Sequence, residues 1–142
     1  MRAAFLVKNG PAATAFEIRE TPVPSPQPHE VLIKVSGFGL NFADVMARLG
    51  FYPDTPPLPA VLGYDVAGTI EAVGPEVKDL KAGQRVMALT RFGGYAEYAV
   101  ADSRGVVSLP GDMDDGTATA LATQYGTAYY LAAEATQLFP GE

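Results

Sequence analysis

Asn41, Asp44 and Arg48 stand at i, i+3 and i+7. That spacing puts an amide, a carboxylate and a guanidinium on one side of a short helix. Phe51-Tyr52-Pro53 follows and brings a phenol near the same polar face. Three groups able to donate hydrogen bonds and one acceptor, gathered there, could line a cleft for a polar ligand. The same residues also fit a purely structural role. Asn41 is a good helix N-cap, and Asp44 completes a capping-box-like pair in the first turn. Asp44 and Arg48 at i, i+4 can form a surface ion pair worth ~0.3–0.5 kcal/mol. The two roles are compatible, because a cap also fixes the turn against which a ligand would rest.

Further along, Tyr64 and Asp65 precede Val66-Ala67-Gly68 at the start of a strand. A tyrosine there reads first as a packed aromatic with one satisfied hydroxyl. Arg91-Phe92-Gly93-Gly94-Tyr95 is a glycine-hinged loop between strands, facing substrate if the cleft lies beside it. Thr127, in the aromatic stretch Gln124 to Tyr130, supplies a hydroxyl that could face a cofactor.

These residues need elements to hold them. The pattern predicts a helix from about Phe42 to Leu49, stopped by Gly50, with Phe42, Val45, Met46 and Leu49 facing the core. Short strands are expected at Ala3–Val7, Ala15–Ile18, Val31–Val35, Val66–Val73, Arg85–Thr90, Tyr95–Val100 and Gly105–Leu109, separated by glycine- and proline-rich turns. The tract Thr21-Pro22-Val23-Pro24-Ser25-Pro26-Gln27-Pro28 should run extended without a sheet ladder, as a stiff connector. After Pro110-Gly111 the period changes: Asp114 or Asp115 caps one helix to about Thr123, and a second spans Tyr125 to Ala135. The fold class is therefore mainly β (α+β), a small barrel or curled sheet with helices at the C-terminal end.

Composition narrows the function. Of 142 residues 48% are hydrophobic and 18% charged, which is globular rather than disordered. The net charge is -6, and the basic residues are scattered singly, so nucleic acid is not an expected partner. With no cysteine and a single histidine, His29, there is no thiolate chemistry, no Cys- or His-rich metal site and no ready hydrolase triad. His29 itself reads as an exposed loop residue. No Gly-x-Gly-x-x-Gly cradles a dinucleotide pyrophosphate. No apolar run reaches the ~20 residues needed to span a bilayer, and the N-terminus lacks signal-peptide architecture, so a cytoplasmic location is expected.

Taken in order, the motifs are specific: Glu30-Val31-Leu32-Ile33-Lys34-Val35, Gly39-Leu40-Asn41-Phe42-Ala43-Asp44, Gly63-Tyr64-Asp65-Val66-Ala67-Gly68, Lys81-Ala82-Gly83-Gln84-Arg85-Val86 and Gly93-Gly94-Tyr95-Ala96-Glu97-Tyr98. The chain resembles the N-terminal GroES-like catalytic domain of the medium-chain dehydrogenase/reductase superfamily, in its zinc-independent quinone oxidoreductase (zeta-crystallin-like) branch. Asn41 to Arg48 is similar to the vesicle amine transport protein-like subgroup. Zinc alcohol dehydrogenases carry Cys and Gly-His-Glu where this chain has Asn41, Tyr64 and Asp65, so the resemblance implies chemistry without metal.

It implies a GroES-like partly open β-barrel over residues 1–123, with 124–142 leading to a Rossmann cofactor domain beyond this chain. It also implies an NAD(P)H-dependent enzyme, with NADPH favoured over NADH, that passes hydride to a quinone or an α,β-unsaturated carbonyl. Tyr52 and Asn41 are then the expected donors to the substrate oxygen, with Asp44 orienting the site. Arg48, Tyr64, Phe92 and Thr127 lie near substrate or cofactor. Some relatives carry a tyrosine where this chain has Met46. The parent would be a homodimer, and this stretch alone inactive. The rival expectation is a free-standing GroES-like binding or adaptor module without redox activity.

Overall fold

A computed structural model describes residues 1–136 and 139. Of the stretch 124–142 expected to lead to a cofactor domain, 137, 138 and 140–142 lie outside the described residues. Two antiparallel sheets make up the body. β1 (Arg2–Leu6) and β2 (Phe16–Glu20) form a hairpin interrupted by one helical turn, α1 (Ala12–Ala15), whose last residue, Ala15, was expected to open the strand. β3 (Glu30–Phe38) follows the proline tract, which carries no ladder. Helix α2 (Phe42–Leu49) comes next, then the two-residue β4 (Ala60–Val61), β5 (Asp65–Val73), β6 (Arg85–Leu89), β7 (Tyr98–Asp102) and β8 (Val106–Ser108).

The strand orders are β2-β1-β4 and β7-β3-β5-β6-β8. Register shifts in the β3–β5 ladder between Leu32 and Ile33, and between Val35 and Gly37, bend the larger sheet. An isolated bridge between Ala3 and Ala96, with Ala4 N–H donating to Tyr95 O at 2.8 Å, stitches the two sheets together. The result is a curled half-barrel. One core fills the larger sheet around Val31, Ile33, Val66, Ile70 and Val86. A second, around Leu6, Ala15, Ala47, Leu62 and Tyr95, lies under α2, and the candidate site is built on it.

Helix α2 has the expected bounds but the opposite orientation. Phe42 is 75% exposed, and Val45 and Leu49 are also exposed, while Asp44 and Ala47 are buried. The reason is polar anchoring at both ends. Backbone amides capture the Asp44 carboxylate at the first turn. At the last, the Asn9 amide donates to the carbonyls of Ala47 and Arg48, and Gly10 N–H donates to Arg48 O. A buried ionic group left without partners costs more than an apolar stripe left in water. Gly50 closes the helix at φ 83°, the left-handed conformation.

The C-terminal helices differ as well. Asp114 caps α3 (Asp115–Thr119) through Thr117 N–H at 2.9 Å. The chain then stays helical through π-type turns at Ala120–Tyr125, α4 (Gly126–Tyr130) and further π-type turns at Leu131–Ala135. No break separates the two helices expected on either side of Gln124, because the π-type turns run straight through it and Tyr125 and Gly126 keep right-handed helical angles. Arg85 ties the start of this arm to the barrel, donating to Met113 O at 2.7 Å and to Asp115 Oδ1 at 2.9 Å.

Candidate active site

The site begins at the N-terminus of α2. Asn41 is extended (φ -110°, ψ 153°), which lets Asp44 reach back: Asp44 Oδ2 accepts the Asn41 N–H at 3.1 Å. Asp44 Oδ1 accepts the Gly63 N–H, also at 3.1 Å. The Asn41 amide nitrogen turns inward and lies 3.4 Å from each carboxylate oxygen of Asp65. Asp65 is fully buried at the head of β5. Two carboxylates thus lie behind one asparagine, one holding its backbone and the other its side chain.

Glycines make the approach possible. A Cβ on Gly39 would sit 2.1 Å from Asp65 Oδ1. Gly63, at φ 102°, presses on Tyr95, whose ring would be 2.7 Å from a Cβ there. The segment 61–64 is laced to the 90–95 loop. Gly93 N–H donates to Val61 O at 3.0 Å, Tyr95 N–H to Leu62 O at 2.9 Å, and Thr90 N–H to Tyr64 O at 2.8 Å. Arg91 takes a left-handed φ of 60° in that loop, and its guanidinium lies 3.8 Å from Asp54.

On this frame stand three half-buried rings. Tyr52 and Tyr64 meet edge to face, with centroids 6.0 Å apart and an interplanar angle of 85°. Phe92 also packs on Tyr64, with centroids 5.2 Å apart. Burial pushes the Tyr64 hydroxyl well above the ordinary phenol range, and the hydrogen bond with Tyr52 pushes the same way. Tyr95 lies deeper, tilted against Phe38 at 4.9 Å. Burial raises its hydroxyl too, reinforced by the charge and hydrogen-bond acceptance of Asp44. Both phenols therefore stay protonated at neutral pH and act as donors.

Of the residues singled out in the sequence, Asn41, Asp44, Tyr52, Tyr64 and Phe92 share one region. Arg48 is committed elsewhere, its guanidinium donating to the Gly10 carbonyl in the turn after β1. Thr127 stands exposed on α4, the arm whose Gln124 side chain donates to Leu40 O at 3.1 Å. Two contributors, Asp65 and Tyr95, escaped sequence reasoning as parts of the site. The signal available for Asp65 was a carboxylate heading the run Val66-Ala67-Gly68; Tyr95 closes the glycine-hinged loop but was not singled out within it. Among the described residues no group of three or more His, Cys, Asp or Glu side chains is placed to hold a metal ion. No helix among them is long and apolar enough to cross a membrane.

A GroES-like half-barrel, with a polar and aromatic cluster beside the helix that follows its third strand, defines the class. The chain belongs to the alcohol dehydrogenase GroES-like domain family, which matches residues 27–111, and within the medium-chain dehydrogenase/reductase superfamily it sides with the quinone oxidoreductases and VAT-1 homologs. It is 48% identical over 108 residues to the quinone oxidoreductase of Lama guanicoe, covering 75% of this chain and 33% of that protein. The human synaptic vesicle membrane protein VAT-1 homolog-like protein superposes with a TM-score of 0.93 at 34% identity, over 99% of this chain and 45% of that one. Escherichia coli quinone oxidoreductase, solved in complex with NADPH, gives 0.91 at 29% identity, over 100% and 43%. The chain spans about one third of the length of the curated relatives it matches.

Proposed function

We propose that this chain forms the substrate half of an NADPH-dependent, zinc-independent reductase acting on quinones or α,β-unsaturated carbonyls. Residues 1–123 are the substrate domain, and 124–142 lead toward a cofactor domain. The observation that carries this reading is the Tyr52–Tyr64–Phe92 cluster, two phenol rings in edge contact beside a frame of buried hydrogen bonds. Support comes from the NADPH complex of the Escherichia coli relative.

The residues present fit the substrate end of such a reaction. Reduced nicotinamide, when bound, supplies a hydride to a substrate carbon. As that carbon is reduced, the electron pair of its conjugated carbonyl moves onto oxygen, and a donor placed there lowers the barrier. Tyr52 is that donor, giving its proton to the oxygen of the quinone or the enolate. Asn41 spends its amide on Asp65, so its part is to hold the first turn of α2. The nucleotide phosphates find no glycine-rich turn in this chain, and their binding falls to residues beyond it.

The test is NADPH oxidation by the full polypeptide, with a simple quinone and an enone offered separately. Tyr52→Phe should lower kcat on the order of 100-fold, the usual contribution of a positioned proton donor. Turnover that survives this substitution intact would remove Tyr52 from the chemistry.

A further inference from the structure

We infer that Asn9 is a deamidation site, and that its conversion to aspartate or isoaspartate unfastens the C-terminal end of α2. The chain holds two asparagines in opposite settings. Asn9 is exposed and precedes Gly10, which has no side chain to shield its backbone nitrogen. Nothing lies within 4 Å of where a Gly10 Cβ would stand, so a succinimide ring has room to close there. Asn41 is 7% exposed, precedes the bulky Phe42, and turns its amide nitrogen onto Asp65.

What Asn9 holds makes the change consequential. Its amide nitrogen donates to the Ala47 carbonyl at 3.2 Å and to the Arg48 carbonyl at 3.3 Å. Gly10 N–H donates to the Arg48 carbonyl at 3.1 Å, and the Arg48 guanidinium donates back to the Gly10 carbonyl. The carbonyls of Ala47 and Arg48 belong to the last turn of α2, the negative end of the helix. An amide meets them as a donor, whereas a carboxylate is an acceptor only and is repelled. Isoaspartate also lengthens the backbone by a methylene, which carries Gly10 N–H away from Arg48 O.

The atoms balance with water as the one co-reactant. Local opening frees the Gly10 nitrogen, which loses its proton and bonds to Asn9 Cγ. The side-chain nitrogen leaves with a proton as ammonia. Water then opens the succinimide at either carbonyl, giving aspartate or isoaspartate. The reaction asks nothing of Tyr52 or of a cofactor.

The experiment incubates the full polypeptide in mildly alkaline buffer beside a synthetic peptide spanning Phe5 to Thr14, and follows both by peptide mass spectrometry. The expected result is the mass gain of amide-to-acid conversion at Asn9, in two separable forms, while Asn41 keeps its amide. Amide exchange is then compared in the parent, in Asn9→Asp and in the converted fraction itself. Gly50 and Phe51, whose N–H groups donate to Ala47 O and Met46 O, should exchange about tenfold faster, one hydrogen bond's loss. Ile70, in the core of β5, should keep the parent's rate. If the free peptide converts and the folded protein does not, or if Asn41 converts as fast as Asn9, the site assignment falls. Gly50 and Phe51 exchanging as slowly as in the parent would mean that Arg48 takes up the new carboxylate and holds the turn, which overturns the unfastening. Equal acceleration at Ile70 overturns it too, since the whole fold would then have loosened.

Discussion

Asp44 Oδ1 accepts the backbone N–H of Gly63 at 3.1 Å across a sequence separation of 19 residues, tying the first turn of α2 to the segment that carries Tyr64. The other oxygen holds Asn41 N–H. One carboxylate therefore sets the spacing between the helix and the Tyr52–Tyr64–Phe92 cluster. In Asp44→Asn only one side-chain oxygen remains to accept, so one of the two buried amides loses its partner. A loss of about 1–3 kcal/mol is expected, read from the urea midpoint. An unchanged midpoint would show that water replaces the carboxylate at no cost.

Gly39 is held to glycine by contact rather than by conformation. The 2.1 Å between its hypothetical Cβ and Asp65 Oδ1 cannot be relieved without moving a buried carboxylate off Asn41. Gly39→Ala should destabilise by about 1–3 kcal/mol, as overpacking does. Gly83, with open space around its hypothetical Cβ, is a poor control because its φ of 86° penalises any side chain. Gly111→Ala meets no neighbour, has no such backbone demand, and should be near neutral.

Tyr95 gives the fold an alkaline limit. Its folded-state pKa lies above the unfolded value of about 10. Its contribution is thus complete below pH ~10 and is lost as pH rises toward the folded-state value. Each such proton steepens the decline by about 1.4 kcal/mol per pH unit. Tyr95→Phe should flatten the stability profile above pH ~10 relative to the parent chain. Equal slopes in the two proteins would mean that Tyr95 ionises freely in the folded state.

The reverse sign applies where the helical arm joins the barrel. Hydrogen bonds from Ser36 and from Arg85 hold the Asp115 carboxyl below the usual carboxylate range. That contribution is present above pH ~4, the unfolded value, and disappears as pH falls through the lower folded one. Asp115→Asn should therefore weaken the attachment at neutral pH and cancel part of the acid sensitivity. Amide exchange over Asp115–Thr119 reads this directly. Exchange in the variant as slow as in the parent chain would show that other contacts suffice.

Much of this was legible in the sequence, and the illegible parts share a cause. Asn41 and Gly50 announce the bounds of α2 because a cap and a left-handed glycine are local requirements. Periodicity then pointed Phe42, Val45 and Leu49 inward. The structure turns them out, since the partners that decide are amides at Gly63 and Asn41 and carbonyls met by Asn9, and only folding reveals them. Asp65 and Tyr95 were overlooked for the same reason: their neighbours lie on strands and loops remote in sequence. The expected break between Thr123 and Tyr125 is absent, because π-type turns carry the chain through Gln124 without interruption.

The most direct measurement is NADPH oxidation by the full polypeptide carrying this chain, supplied with a quinone, before and after Tyr52→Phe. Turnover that falls on the order of 100-fold, with an unchanged melting temperature, is the expected result. No NADPH oxidation with any quinone or enone, or a rate indifferent to the loss of the Tyr52 hydroxyl, would contradict a reductase site at the Tyr52–Tyr64–Phe92 cluster.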